Sequence, residues 1–235
     1  MPAKRSECDI AKTQSIVDLL TIPAQQRDEK WNQQFLIDVQ TASFACADPQ
    51  VIKGPDGFPY FGLHVPEPRK AFTSYCIRNI AEDFLLDNGY GVTINPGANA
   101  ADWVFSYGDI VNLHVNHEFY SKPETVIIEP EVTITKNEKI LVAQPSESYL
   151  PAKARLVIKK YLQYFGVTEP KIMLLTRELE GKMVRELAVN IFKEEVGHPE
   201  KLDDFMRQFS WFFPRHYILM IVPKDSELTR HFENL

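Results

Sequence analysis

Ala71-Phe72-Thr73-Ser74, then Gly91-Val92-Thr93-Ile94-Asn95-Pro96-Gly97, then Tyr107-Gly108-Asp109-Ile110-Val111-Asn112-Leu113 decide how this chain is read. The first stretch opens a helix: Thr73 or Ser74 supplies a capping hydroxyl. Ile77, Ile80, Ala81, Phe84 and Leu85 then recur at helical spacing until Asn88-Gly89 stops the run. The second is a short buried strand ended by an Asn-Pro-Gly turn, and the third begins another helix.

Upstream, Gly54-Pro55-Asp56-Gly57 is a turn by composition, and Phe58 to Val65 alternates as a strand closed by Pro66-Glu67-Pro68. Residues 1–47 read as helical. A weak first helix carries Ile10, Val17, Leu20 and Ile22, and a second runs from Ala24 to Ala45 with Trp31, Phe35 and Val39 on one stripe. Asp48-Pro49 is expected to end it, because proline disfavours helix in the residue before it.

Between Glu118 and Lys139 the pattern loosens into short β-rich runs, Val126–Ile128 and Val132–Thr135. Beyond it, Lys139–Ala143 is a strand, Leu150–Phe165 an amphipathic helix closed by Gly166, and Ile172–Leu175 and Val184–Ile191 are strands. A helix opens at Pro199, Tyr217–Val222 is a further strand, and Asp225 or Ser226 caps a terminal helix. The fold class expected is α+β in two modules, the second βαββαβ in the split-βαβ manner with a terminal helix. The divisions are 1–57, a helical segment on the first module; 58–125, the first module; and 126–235, the second.

The chain has 235 residues and a net charge of −6, which argues against a nucleic-acid-coating protein. The charge divides as −7 over residues 1–130 and +1 over 131–235, a difference of surface character between the two parts. No run approaches the roughly 18 apolar residues of a membrane span. No apolar stretch follows the charges of Met1–Ser6, so no secretory signal is expected. Cys8, Cys46 and Cys76 lie far apart without CxxC spacing and read as free thiols in a reducing cytosol.

On these residues the chain resembles the enhanced-serine-sensitivity (SseB-like) family. The likeness rests on Ala71–Ser74, Gly91–Gly97 and the helix ending at Leu113. In the second half it rests on Ile140-Leu141-Val142-Ala143-Gln144-Pro145-Ser146-Glu147, the helix after it, and Pro170-Lys171-Ile172. It covers residues 58–235. The resemblance implies two α+β modules and a bacterial cytoplasmic protein; it implies no established activity, no cofactor and no catalytic residues.

Candidate chemistry is sparse. Asn95 and Gly97 follow a buried strand, where ligands dock in open α/β sheets, although a tight turn chosen for its backbone angles is the better reading. His114 and His117 lie three apart, but neither HExxH nor HxxEH is present and no third ligand is spaced to join them, so no metal site is expected. Cys76 with a distant His64 is better read as a buried small hydrophobe than as a nucleophile. Ser146 and Ser148 read as helix caps, without the glycine-rich loop of a nucleotide site. Trp211, Arg215 and Tyr217, in Trp211-Phe212-Phe213-Pro214-Arg215-His216-Tyr217, are residue types enriched at binding hot spots; equally, Phe209 and Phe213 complete a core face and the rest covers a sheet edge.

No nucleophile–base, metal or phosphate-cradle set is complete. The expectation is a non-catalytic binding or regulatory protein acting through a protein partner or self-association, without a cofactor. The alternative is a small-molecule-binding protein or modest hydrolase with a cleft near Asn95, His114 and His117.

Overall fold

The computed structural model describes residues 7–97, 100–122, 140–179, 181–191 and 199–235. The runs expected at Val126–Ile128 and Val132–Thr135, and the division at 125/126, lie outside these residues. The fold is α+β, and the chain forms two compact units, Met1–Phe119 and Tyr120–Leu235.

In the first unit, α1 (Ile10–Leu20) is capped by Asp9, whose carboxylate accepts from the Ala11 and Lys12 amides. A 3₁₀ turn (Ala24–Gln26) leads to α2 (Glu29–Asp38), capped by Asp28. The stripe Trp31, Phe35 and Val39 is buried as expected. The helix expected to reach Ala45 nevertheless ends at Asp38, because the β-prone Thr41–Ala45 leaves it and starts β1 (Ala45–Lys53). Asp48-Pro49, read as a helix stop, is a cis bond inside that strand, in the stretch where β1 and β2 shift register between Cys46 and Val51.

The Gly54–Gly57 turn returns the chain into β2 (Pro59–His64), antiparallel to β1. The strap Val65–Tyr75 then leads to a helical run of α3 (Ile77–Ile80), a π turn (Ala81–Leu85) and α4 (Leu86–Asn88). Neither Thr73 nor Ser74 caps this run; Cys76 holds the N-cap position, because Tyr75 is taken up in backbone pairing with Phe44. Gly89, at φ 70°, ends the run, and β3 (Gly91–Ile94) lies parallel to β2. A strand not anticipated, β4 (Trp103–Phe105), pairs antiparallel to β3. Helix α5 (Tyr107–Asn116) then begins with a Ser106–Asp109 capping box. The sheet order is β1-β2-β3-β4. Phe61 packs edge-on against Phe84 of the crossover at 4.9 Å, and Phe35 lies tilted against Trp103 at 4.8 Å.

The second unit begins, among the described residues, with β5 (Ile140–Ala143) and α6 (Ala152–Tyr164). These lead to the hairpin β6 (Lys171–Leu179) and β7 (Lys182–Val189), α7 (Pro199–Ser210) and β8 (Ile218–Met220). The βαββαβ order is as expected, but the split-βαβ pairing is not. A split unit places another strand between two helix-linked strands, whereas β5 and β6 are adjacent and antiparallel in a sheet ordered β5-β6-β7-β8. The terminal helix is a 3₁₀ turn (Glu227–His231) capped by Ser226, and β9 (Glu233–Asn234) follows it to pair with β6. One sheet face carries Met173, Leu175 and Ala188, covered by Val222, Leu228 and Phe232. Tyr161 of α6 meets Phe212, just beyond α7, at 4.4 Å, and Phe165 meets Phe205 at 5.5 Å.

One plan recurs. Each unit runs helix, antiparallel hairpin, crossover helix and parallel strand: α2-β1-β2-α3/α4-β3 in the first and α6-β6-β7-α7-β8 in the second. The units differ in what they add. The first places β4 on the outer edge of β3, and the second places β5 on β6.

Candidate functional site

Among the described residues each unit has a concave region. The first, of ≈ 560 Å³, lies at the carboxyl end of β2. Cys46, Gln50 and His64 line it from the sheet, and Phe72, Thr73 and Tyr75 from the strap. Two pins place the strap. At its start the Val65 amide donates to Asn95 Oδ1 at 2.9 Å. At its end Tyr75 and Phe44 exchange two backbone hydrogen bonds, of 2.8 and 2.9 Å. Cys46 carries a free thiol, which burial and then the Asp48 carboxylate push above its ordinary pKa; it is therefore a protonated, poor nucleophile at neutral pH.

Asn95 is committed to the fold. At φ 48° it adopts the left-handed turn conformation, its Oδ1 accepts from Val65, and its Nδ2 donates to Asp102 at 2.7 Å. Gly97 closes the same turn by donating to the Ala100 carbonyl at 3.1 Å, and a Cβ on it would stand 2.9 Å from that oxygen. Neither residue lines the cleft; Asn95 acts on it through the strap.

His114 Nδ1 stands 3.4 Å from Glu82 Oε1, whereas His117 is exposed and ends α5 at φ 59°. Among the described residues no group of three or more His, Cys, Asp and Glu is placed to hold a metal ion. No helix among them is long and apolar enough to cross a membrane. Cys8 and Cys76 form a disulfide, which corrects the expectation of three free thiols. Their separation of 68 residues left no local spacing to reveal it.

The second region, of ≈ 430 Å³, is a groove between the end of α7 and β8, lined by Met206, Ser210, Phe213, Arg215, Tyr217 and Leu219 together with Pro214. The structure thus brings Arg215 and Tyr217 together, while Trp211 stands outside the lining and packs edge-on to Phe212 at 5.1 Å. Both groove residues are held in place. Arg215 lies 4.0 Å over the Tyr120 ring, and its Nη2 donates to the Tyr120 hydroxyl at 3.1 Å. Tyr217 stacks on Tyr149 at 4.2 Å and donates its hydroxyl to the Tyr149 carbonyl. Burial, and then Tyr149, push the Tyr217 phenol well above its ordinary pKa, against an opposing pull from Arg185. It is a neutral donor across the physiological range. The groove therefore presents an apolar floor, an exposed guanidinium and the sheet edge at β8, which among the described residues pairs with β7 alone.

The sequence reading misses the cleft because it places no strand over Ala45–Lys53, ending a helix at Ala45 and leaving residues 48–53 without an element, so the strap has no partner in such a reading. Compared with known proteins, the chain matches no family model, no curated protein and no solved structure.

Proposed function

We propose that this is a non-catalytic binding protein whose second unit takes an extended, acidic segment of a partner protein along β8. The observation that carries this reading is the correspondence between the two units. In the first, the strand at the β3 position receives β4 antiparallel on its outer edge. In the second, the strand at that position is β8, with the groove beside it. Strand addition supplies main-chain hydrogen bonds, and alternate side chains enter pockets. Met206, Phe213 and Leu219 suit an apolar side chain, and Arg215 suits a carboxylate beside it. Membership of the enhanced-serine-sensitivity family is part of the proposal and rests on the motifs at Gly91–Gly97 and Ile140–Glu147.

A synthetic peptide alternating Glu and Val is the probe. Titrated into the protein, it should perturb the amide resonances of Ile218–Met220, and Arg215→Glu should weaken it by roughly tenfold or more. Perturbation elsewhere, or none, overturns the reading.

The second reading, a small-molecule site, is favoured by the strap cleft, which stands at a strand's carboxyl end where ligands bind in open α/β sheets. It draws on Asn95 as a brace and uses neither His114 nor His117.

A further inference from the structure

We propose that the Cys8–Cys76 disulfide is a reversible redox latch that fastens the start of α1 and the end of the strap onto the segment Gln40–Phe44. That segment crosses from α2 to β1 and is gripped from two sides. On one, Asp9 donates its amide to the Thr41 carbonyl at 2.7 Å. The Thr13 hydroxyl donates to the Ser43 carbonyl at 3.0 Å and accepts from the Ser43 amide at 2.8 Å. On the other, Tyr75 and Phe44 exchange their backbone pair, and Arg78 reaches Gln40 twice, at 2.9 Å through the backbone and 2.8 Å through the side chains. Cys8 immediately precedes the first grip and Cys76 immediately follows Tyr75, so their bond joins the two flanks across the segment.

The two sulfurs differ in access. Cys8 is part-exposed and Cys76 is fully buried. An external thiolate of the glutathione class attacks Cys8 Sγ; the protein S–S bond breaks, and its electron pair leaves on Cys76 Sγ, which takes up a proton. A second thiolate attacks the mixed disulfide, releasing the oxidised small disulfide and the Cys8 thiolate, which is protonated in turn. Two electrons thus pass to the protein, and the reverse sequence closes the latch. Cys46, raised in pKa beside Asp48, is kept largely as the thiol and competes poorly for either sulfur. With the bond open, no covalent link joins the strap end that walls the cleft to the residues that lead into α1.

The test uses the full chain equilibrated in glutathione buffers of varied reduced-to-oxidised ratio, read by alkylation mass and by amide hydrogen exchange. Closure leaves one alkylated cysteine and opening gives three. On opening, exchange at Asp9, Phe44 and Tyr75 should quicken by roughly tenfold or more while Val92 and Ile94 keep their protection. Cys8→Ser should show the open pattern in oxidising buffer, and Cys46→Ser should keep the switch. Three alkylated cysteines in oxidised glutathione, or unchanged exchange at Phe44 and Tyr75 when the wild-type bond is reduced, overturns the proposal.

Discussion

Arg177 and Glu186 meet diagonally across the β6–β7 hairpin through two hydrogen bonds of 2.7 Å, Nε to Oε2 and Nη2 to Oε1, at 4% and 0% exposure. Both side chains share a sheet face with Met173, Leu175 and Ala188. Removing one partner of such a pair strands a charge away from water, whereas replacing both with apolar groups is often close to neutral. Glu186→Gln or Arg177→Met alone should each cost about 3–5 kcal/mol in urea unfolding. The double variant Arg177→Met/Glu186→Leu should recover most of that loss; failure to recover it would mean that the pair contributes more than charge compensation.

Asn95 braces the strap through Val65, and stability measurements separate that role from ligand contact. Asn95→Ala removes the bonds to Val65 and Asp102 and should lower stability by about 1–3 kcal/mol without any ligand present. Asn95→Asp should also destabilise, since it sets a carboxylate against Asp102. A fully stable Asn95→Ala protein would return the residue to the list of ligand groups.

Gly91 is required by space. A Cβ there would stand 2.5 Å from the Phe105 carbonyl oxygen and 2.6 Å from the Tyr60 ring, so strand β3 could not keep its place between β2 and β4. Gly91→Ala should destabilise by about 1–3 kcal/mol, as overpacking does. The loss should appear as a lower unfolding midpoint with faster exchange at Val92 and Ile94.

Alkali should act through the tyrosines. Burial pushes the Tyr161 phenol up to about 12 and those of Tyr107 and Tyr217 higher still. The native state therefore holds these protons more tightly than the unfolded chain, whose phenols titrate near 10. The associated stability is fully present below pH ~10 and is lost as pH rises toward and through 12. Spectrophotometric titration should show a late-ionising class, and Tyr161→Phe should remove the step near 12. A single transition of all nine tyrosines near pH 10 in a still-folded protein would contradict the burial described here.

The sequence was legible where periodicity and punctuation agreed. Gly89, Gly166 and Ser226 stand where helix ends and a cap were expected, and the Trp31–Phe35–Val39 stripe is buried. It misled where a local signal had two meanings. Asp48-Pro49 disfavours helix, yet in the cis form it also fits an irregular strand, and β1 was lost for that reason. Trp103–Phe105 is too short to show alternation. The pairing of β5 with β6 and the joining of Cys8 to Cys76 are long-range facts that element order and cysteine spacing do not contain. Of the groove, Arg215 and Tyr217 were visible as an aromatic–arginine run, whereas Met206 and Leu219 join them only through the α7–β8 crossover.

The recurrence of one helix–hairpin–helix–strand plan has a consequence for how the chain is made. Each unit closes its sheet with strands from its own half, so the first can finish folding on the ribosome while the second is still being synthesised. Cys8 and Cys76 both belong to that early half. The redox conditions met by a nascent chain, before Arg215 or β8 has emerged, can thus set the state in which its first unit begins service.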